Sequence, residues 1–344
     1  MAGSSRWSVR PEGSTWGDWG PDDQLGRLNL LTPDAVLRGA AEIRTGQAFC
    51  LSLPLDLPGG MVLNPNRKPP FISPVTDGSG PRYNRAWAEI DPRFVDVSSD
   101  DLVELTLQYS TQWDGLAHVG AFFDVDGLGV KSPVYYNGFR AGTDVQAPSD
   151  REALGLNGSF AQKLAVDNFA VKPVQGRGVL IDLLHHLGSA PQRVRFAAIE
   201  EIMRLDGIEV CEGDIVLLRT GFADRIIEST SGGDPMDLNN SCAVLDGSDQ
   251  STLEWITDCG LVALVADNYA VETPDIPRGP ELQSGLPIHH LCLFKLGVVL
   301  GELWYLGELA QWLRAHGRNH CLITAPPLRL PGAVGSPANP VATV

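Results

Sequence analysis

Asp114 and His118 stand four residues apart in the stretch STQWDGLAHV, residues 110–119. A carboxylate in that setting can bind a divalent ion, and an imidazole beside it can carry protons near neutral pH. The same spacing also suits an Asx-type turn with a surface histidine. Two further histidine pairs stand near chemistry. His289 and His290 lie in LPIHHLCLFKLG, followed by Glu302 in the apolar run VVLGELWYL. Adjacent helical residues point about 100° apart, so at most one of these two histidines faces a given site. A carboxylate in so apolar a run needs a partner or a metal to offset its desolvation. The other reading of Glu302 is a helix end that reaches water. His185 and His186, in LLHHLG directly after an apolar run, read as a strand-to-loop exit with satisfied imidazoles.

Other groups offer less. ADNYAVE sets Asp267, Asn268 and Glu272 at the end of an apolar run, where α/β folds place site residues. LLRTGF sets Arg219 and Thr220 at the end of another; Arg219 suits a bidentate hold on a substrate carboxylate or, the reading we favour, a structural pair with an internal carboxylate. The Gly-x-Gly at 176–178 lacks the third glycine and the helix of a dinucleotide fingerprint. There is no Gly-x-Ser-x-Gly elbow and no P-loop, so neither a serine hydrolase nor a nucleotide triphosphatase has motif support.

The elements that must position these residues follow from periodicity. LVELTLQYST (102–111) alternates and predicts a strand leading into the Asp114 stretch. GRGVLIDLL (176–184), DIVLLRTGF (214–222), LVALVADNYAVE (261–272) and HCLITAPPLRL (320–330) predict buried strands. AFCLSLPLDL (48–57) alternates like a strand as well. LTPDAVLRGAAEIRTG (31–46) predicts a helix capped by Thr32, opened by Pro33 and stopped by Gly46. AAIEEIMRLDG, STLEWITDCG, PIHHLCLFKLG and GELAQWLRAHG predict further helices. Several strands arrive without a helix between them, which predicts an α/β fold with a central mixed β-sheet and flanking helices. No repeat or linker divides the 344 residues, so 1–344 reads as a single domain. Residues 1–25 read as an extended N-terminal arm. Residues 57–90 and 120–150 read as loops, the first a candidate lid or exchange segment.

Composition bounds the partners. A formal net charge of −16 disfavours phosphate backbones and anionic membranes. No segment is apolar enough to span a bilayer, and the N-terminus lacks the apolar core of a signal peptide. The 6 cysteines form no Cys-x-x-Cys pair and read as free thiols. A cytoplasmic protein with a small-molecule substrate is the expectation.

Several pieces recur together in one family. WGDWGPDDQLGRLNLLTPDAV, STQWDGLAHVG, DIVLLRTGF, LVALVADNYAVE, LPIHHLCLFKLGVVLGELWYLGELA and a closing GSPAN resemble the cyclase family, which includes bacterial kynurenine formamidase and isatin hydrolase. The resemblance runs in order from about residue 16 to the C-terminus. It implies a swivelling β/α/β domain, assembled as a homodimer or homotetramer, often with a partner loop completing the pocket. The family's hydrolases carry His-x-Gly-Thr-His-x-Asp-x-Pro-x-His, in which two His and the Asp bind metal and the last His moves protons. A later His and Glu complete that site. Aligned on the carboxylate, the resemblance implies that Asp114 is a ligand and that His118 is the proton carrier. The two ligand histidines fall on Gln108 and Gln112, and the Pro on Leu116. His289, with His290 as fallback, and Glu302 match the later ligands. We read this Gln-Trp-Asp-Gly pattern as that of a subgroup.

The expected cofactor is one divalent metal, Mn²⁺ or Zn²⁺, held by Asp114, His289 and Glu302 with Gln112 filling in; the alternative is no metal. The expected activity is hydrolysis of a cyclic amide, lactone or formamide by metal-activated water, with His118 as general acid/base. Trp113, Tyr109 and Gln112 are candidates to touch substrate, although Trp113 and Tyr109 also suit a core. The alternatives are a metal-independent cyclase, dehydratase or lyase using Asp114, His118 and Glu302, or a pocket that only binds a ligand.

Overall fold

The structure, a computed structural model, describes residues 6–230, 238, 241–274 and 283–344; residues 1–5 of the expected N-terminal arm lie outside them. Nine strands form the main sheet. In chain order they are β1 (Ala48–Cys50), β2 (Gln112–Asp114), β3 (Gln175–Asp182), β4 (Ile215–Arg219), β5 (Ala263–Ala266), β6 (Val299–Glu302), β7 (His320–Thr324), β8 (Gly335–Pro337) and β9 (Val341–Thr343). Their spatial order is β1-β9-β7-β3-β4-β5-β6-β2-β8. The central run β3-β4-β5-β6 is parallel. The pairs flanking it are antiparallel. The sheet is therefore mixed, as expected.

The four parallel strands are the continuous apolar runs of the sequence because both of their faces are covered. Ile181, Leu217, Leu264, Val265 and Leu300 have no exposed surface. Among the described residues, five helices of eight residues or more accompany the sheet: α1 (Pro33–Ala40), α2 (Phe196–Asp206), α3 (Phe222–Thr230), α4 (Gln250–Asp258) and α5 (Gly307–Ala315). Thr32 caps α1, its Oγ1 accepting the Ala35 N–H at 3.2 Å. The helix ends at Ala40, one turn and more before Gly46.

Three expectations need correction. The 102–111 strand is not formed as one piece. Residues 101–104 pair with Phe71–Pro74 in a peripheral ladder, and β2 starts only at Gln112. Leu102 and Val103 are both exposed, so no core reads out the alternation that suggested a strand. Residues 120–150 are not a plain loop. Ala121–Phe123 pairs with Ser132–Val134, and Val145–Gln146 with Phe160–Ala161. Residues 183–187 form a short helix rather than a loop, begun by Asp182, whose Oδ1 accepts the His185 N–H at 3.1 Å. The segment His290–Leu296 is helical but winds as a π-helix, a geometry concentrated at functional sites.

The register of β2 against β6 matters most for chemistry. Gln112 stands opposite Glu302, Trp113 opposite Gly301 and Asp114 opposite Leu300. Side chains alternate along a strand, so Gln112 and Asp114 share a face with Glu302 while Trp113 points to the other.

Candidate active site

Glu302 ends β6 at the carboxyl edge of the parallel strands. Asp114 ends β2 beside it. Their carboxylates are 2% and 0% exposed, so each must be matched inside the protein. The chain reverses directly after Glu302 through Leu303, held in the left-handed region at φ 57. Thr111 Oγ1 donates to the Leu303 carbonyl at 2.5 Å and fixes that turn. Strain of this kind persists where neighbours over-determine the backbone.

His289 arrives from the other side, in the short helix Pro287–His289. Its orientation is set by Glu272. That carboxylate accepts the backbone N–H of Ile288 at 3.0 Å and of His289 at 2.8 Å, and lies 2.9 Å from His289 Nδ1. An acceptor there places a proton on Nδ1. His289 Nε2 is thereby aimed at Glu302 Oε1, 3.3 Å away. Glu272 itself follows Ala270 and Val271, both at positive φ (69 and 56), an unusual conformation for a β-branched valine.

Gln112 closes the group. Its Nε2 donates to Asp114 Oδ1 and Glu302 Oε2, each at 3.1 Å. His118 Nε2 stands 3.8 Å from Asp114 Oδ1, with a side chain 22% exposed, on the open side of the cluster. Burial holds the Asp114 carboxyl above the usual carboxylate range, and the nearby Glu302 charge adds to this against His118 and His289. For His289 burial alone would lower proton affinity. The bonds to Glu272 and Glu302 prevail and lift its pKa to about 10. Burial also works to raise Glu302, but its bond to His289 and that residue's charge hold it below the usual range. Without an ion the core of the site is thus an imidazolium–carboxylate pair beside a carboxyl that resists ionising.

The donor set fits a divalent cation. Ligand atoms of Asp114, His289 and Glu302 all lie within 4.8 Å of one another, buried. Two carboxylates and an imidazole suit Mn²⁺ or Zn²⁺, and Glu272 supplies the carboxylate behind the histidine that orients such ligands. Asp114 Oδ2 and Gln112 Oε1 are buried without a hydrogen-bond partner. Turning the Gln112 amide over would present that oxygen, an acceptor, to the same position.

The remaining sequence candidates fall into three groups. Tyr109 is buried against the 57–67 segment, and its hydroxyl donates to the Gly60 carbonyl at 2.8 Å. Gln108 is half-buried, with its amide nitrogen 2.5 Å from where a Cβ on Gly335 would stand, beside β2. Trp113 takes the core position of its two readings: Nε1 donates to the Ala325 carbonyl at 2.8 Å and the ring packs edge-on against Trp304. His290 turns away from His289, against Phe294, and burial with Lys295 lowers its pKa to about 4. His186 pairs with Asp206 at 2.9 Å. Arg219 bridges Asp182 and Asp224, the structural role expected. Asp267 accepts from Thr220 N, Thr220 Oγ1 and Gly221 N, which ties the end of β4 to β5.

One nearby residue carried no sequence signal. The expected 57–90 loop is irregular only to residue 70, since Phe71–Pro74 and the short strands after it form ladders; Arg67 sits in the irregular part, and its Nη1 donates to the Gln108 carbonyl at 2.8 Å. Nothing in that aperiodic, Pro- and Asn-rich stretch marked it.

The Cyclase family model matches residues 51–273. A crystallised protein described as a novel cyclase is 30% identical, covers 97% of this chain and 100% of its own, and superposes with a TM-score of 0.75. Isatin hydrolase A from Labrenzia aggregata, bound to benzyl benzoate, is 13% identical, covers 90% of this chain and 97% of its own, with a TM-score of 0.55. Isatin hydrolase A from Ralstonia solanacearum is 16% identical at the same coverages, with a TM-score of 0.52. The last two share the fold. No functionally curated protein sequence matches.

Proposed function

The chain belongs to the cyclase family, and from that membership we propose that it is a metal-dependent hydrolase of a cyclic amide, lactone or formamide. The observation that carries this is the convergence of Asp114, His289 and Glu302 within 4.8 Å in a buried position. Asp114 and Glu302 would hold the ion through carboxylate oxygens and His289 through Nε2, with Gln112 as a weaker neutral donor. When bound, such an ion polarises a carbonyl and lowers the pKa of a water. Glu272 keeps the His289 tautomer that offers Nε2. His118, at the open side, takes a proton from the attacking water and returns it to the leaving nitrogen or oxygen. Asp114 Oδ1 lies 3.8 Å from His118 Nε2, on the site side of that ring. Tyr109 and Gln108 border the substrate on that side. The six unpaired thiols support a reducing, cytoplasmic setting.

The test is elemental analysis of protein purified without chelator, added metal or a His-tag. About one Mn or Zn per chain is expected, and Asp114→Asn or Glu302→Gln should lose it. Chelation should abolish opening of lactones and cyclic amides. Protein that takes up neither ion on titration would overturn the reading.

One observation favours a second reading. The Gln112 amide donates to both carboxylates, and His289 faces Glu302, so Glu302 and one oxygen of Asp114 are matched without any ion. That arrangement suits a metal-independent cyclase, dehydratase or lyase in which His118 and Asp114 move protons. Its signature is turnover by metal-free protein that His118→Ala abolishes.

A further inference from the structure

The loop 57–67 is fastened to the segment that leads into β2 and to Tyr269, just past the end of β5. Tyr109 Oη donates to the Gly60 carbonyl at 2.8 Å. Asn64 Nδ2 donates to Tyr269 Oη at 2.9 Å, and Lys68 N to Thr106 Oγ1 at 2.9 Å. Between these ties lies a small cleft bordered by Leu63, Asn64, Arg67, Tyr109 and Tyr269. Arg67 is the cation in that lining, and its guanidinium sits 5.3 Å from the centre of the Tyr269 ring.

Several half-buried arginines pair with carboxylates: Arg177 with Asp214, Arg219 with Asp182 and Asp224, and Arg318 with Glu42. Arg151 has no ion pair but uses Nε and Nη1 on the Asn157 carbonyl and Gln146 Oε1. Arg67 makes no ion pair among the described residues. Of its five N–H groups, one position is used, Nη1 to the Gln108 carbonyl at 2.8 Å. The aromatic ring and the backbone bond hold the plane of the guanidinium while leaving most of its fork uncommitted. Such a fork matches a carboxylate in two parallel bonds. Arg67 is the one charged side chain of that lining, and among the described residues no carboxylate borders the cleft to compete for it. Arg67 is close enough to act on the charges of both Asp114 and Glu302. With one guanidinium and no second lysine or arginine lining the cleft among the described residues, a singly charged carboxylate is a better match than a phosphate.

We propose that Arg67, held by Tyr269 and the Gln108 carbonyl, is a specificity-determining residue that binds a carboxylate on the substrate or ring-opened product. The assignment rests on the reading of this site as the reaction centre. It selects among cyclic amides, lactones and formamides those that carry an acid group beside the scissile bond.

The experiment is calorimetric titration of the protein as purified, with benzoate against benzamide and acetate against acetamide. Wild type, Arg67→Gln and Arg67→Lys are compared, with circular dichroism to establish that each is folded. Wild type should bind the carboxylates about tenfold to a hundredfold more tightly than the matching amides. Arg67→Gln should level the two, and Arg67→Lys should retain a weaker preference. No carboxylate preference in wild type, or one undiminished in Arg67→Gln, overturns the proposal. The probes are unreactive, so the result does not depend on turnover. A chain that fails as a metal hydrolase can still show the preference, and an active hydrolase can still lack it.

Discussion

His289 is gripped by two carboxylates with different duties. Glu272 fixes the ring through Nδ1 and through the backbone, whereas Glu302 faces the nitrogen that would meet an ion. A histidine whose proton affinity is raised on folding stabilises the protein fully below its ordinary value, and that contribution is lost as pH rises through the folded value. Raised from 6.5 to about 10, His289 should therefore make metal-free protein progressively less stable across that interval. Urea melts should show the decline in wild type and a flatter profile in His289→Gln. Parallel profiles would count against the ion pair. Glu272→Gln replaces an acceptor of three N–H groups by an amide that competes with one of them. Metal affinity should fall about tenfold to a hundredfold, measured by titration with Mn²⁺ or Zn²⁺, with the fold retained.

Elements deliver these residues through close backbone approaches. Gly247 makes room for Glu272: a Cβ there would lie 2.1 Å from Glu272 Oε2 and 3.2 Å from Pro287 Cδ. Gly247→Ala should displace Glu272 and with it His289, lowering metal affinity more than thermal stability. A variant with unchanged metal titration would show that the carboxylate has another way to reach His289. On the opposite face of β2, Trp113 fills the core against Trp304. Trp113→Ala should cost about 3–5 kcal/mol, read as a lower urea midpoint, whereas Trp113→Phe should cost less and leave ligand binding intact. A loss of binding at unchanged stability would return Trp113 to the pocket.

At the scale of the molecule, the ladder-forming arm of residues 71–104 stands apart from the core. None of its residues is buried, and Phe71, Ile72, Ile90 and Val95 are each at least 67% exposed. An apolar surface of this extent on a separate arm suits association. We propose that a second copy of the chain covers it, in a homodimer or homotetramer. Sedimentation should show an assembly for wild type and monomers once residues 75–100 are replaced by a short Gly-Ser link; a monomeric wild type would refute this. Among the described residues no helix is long and apolar enough to cross a membrane.

What the sequence determined by itself was local. The buried parallel strands announced themselves as continuous apolar runs, because both faces of each are covered. Asp114 stood out by its spacing from His118 and Glu302 because a carboxylate in an apolar run must be matched, and the family resemblance joined them to His289 across the chain. Tertiary structure decided direction and pairing. The register of β2 against β6 put Gln112 between two carboxylates and sent Trp113 to the core, where a slip of one residue would have exchanged those faces. The short helix Pro287–His289, anchored by Glu272, brought His289 to the site, and the π-helix that follows left His290 outside. Arg67 entered from a loop whose backbone follows no period, held by contacts with Gln108 and Tyr269 that lie far from it in the chain. Periodicity reports how much of a segment is covered; it carries no record of which distant group does the covering.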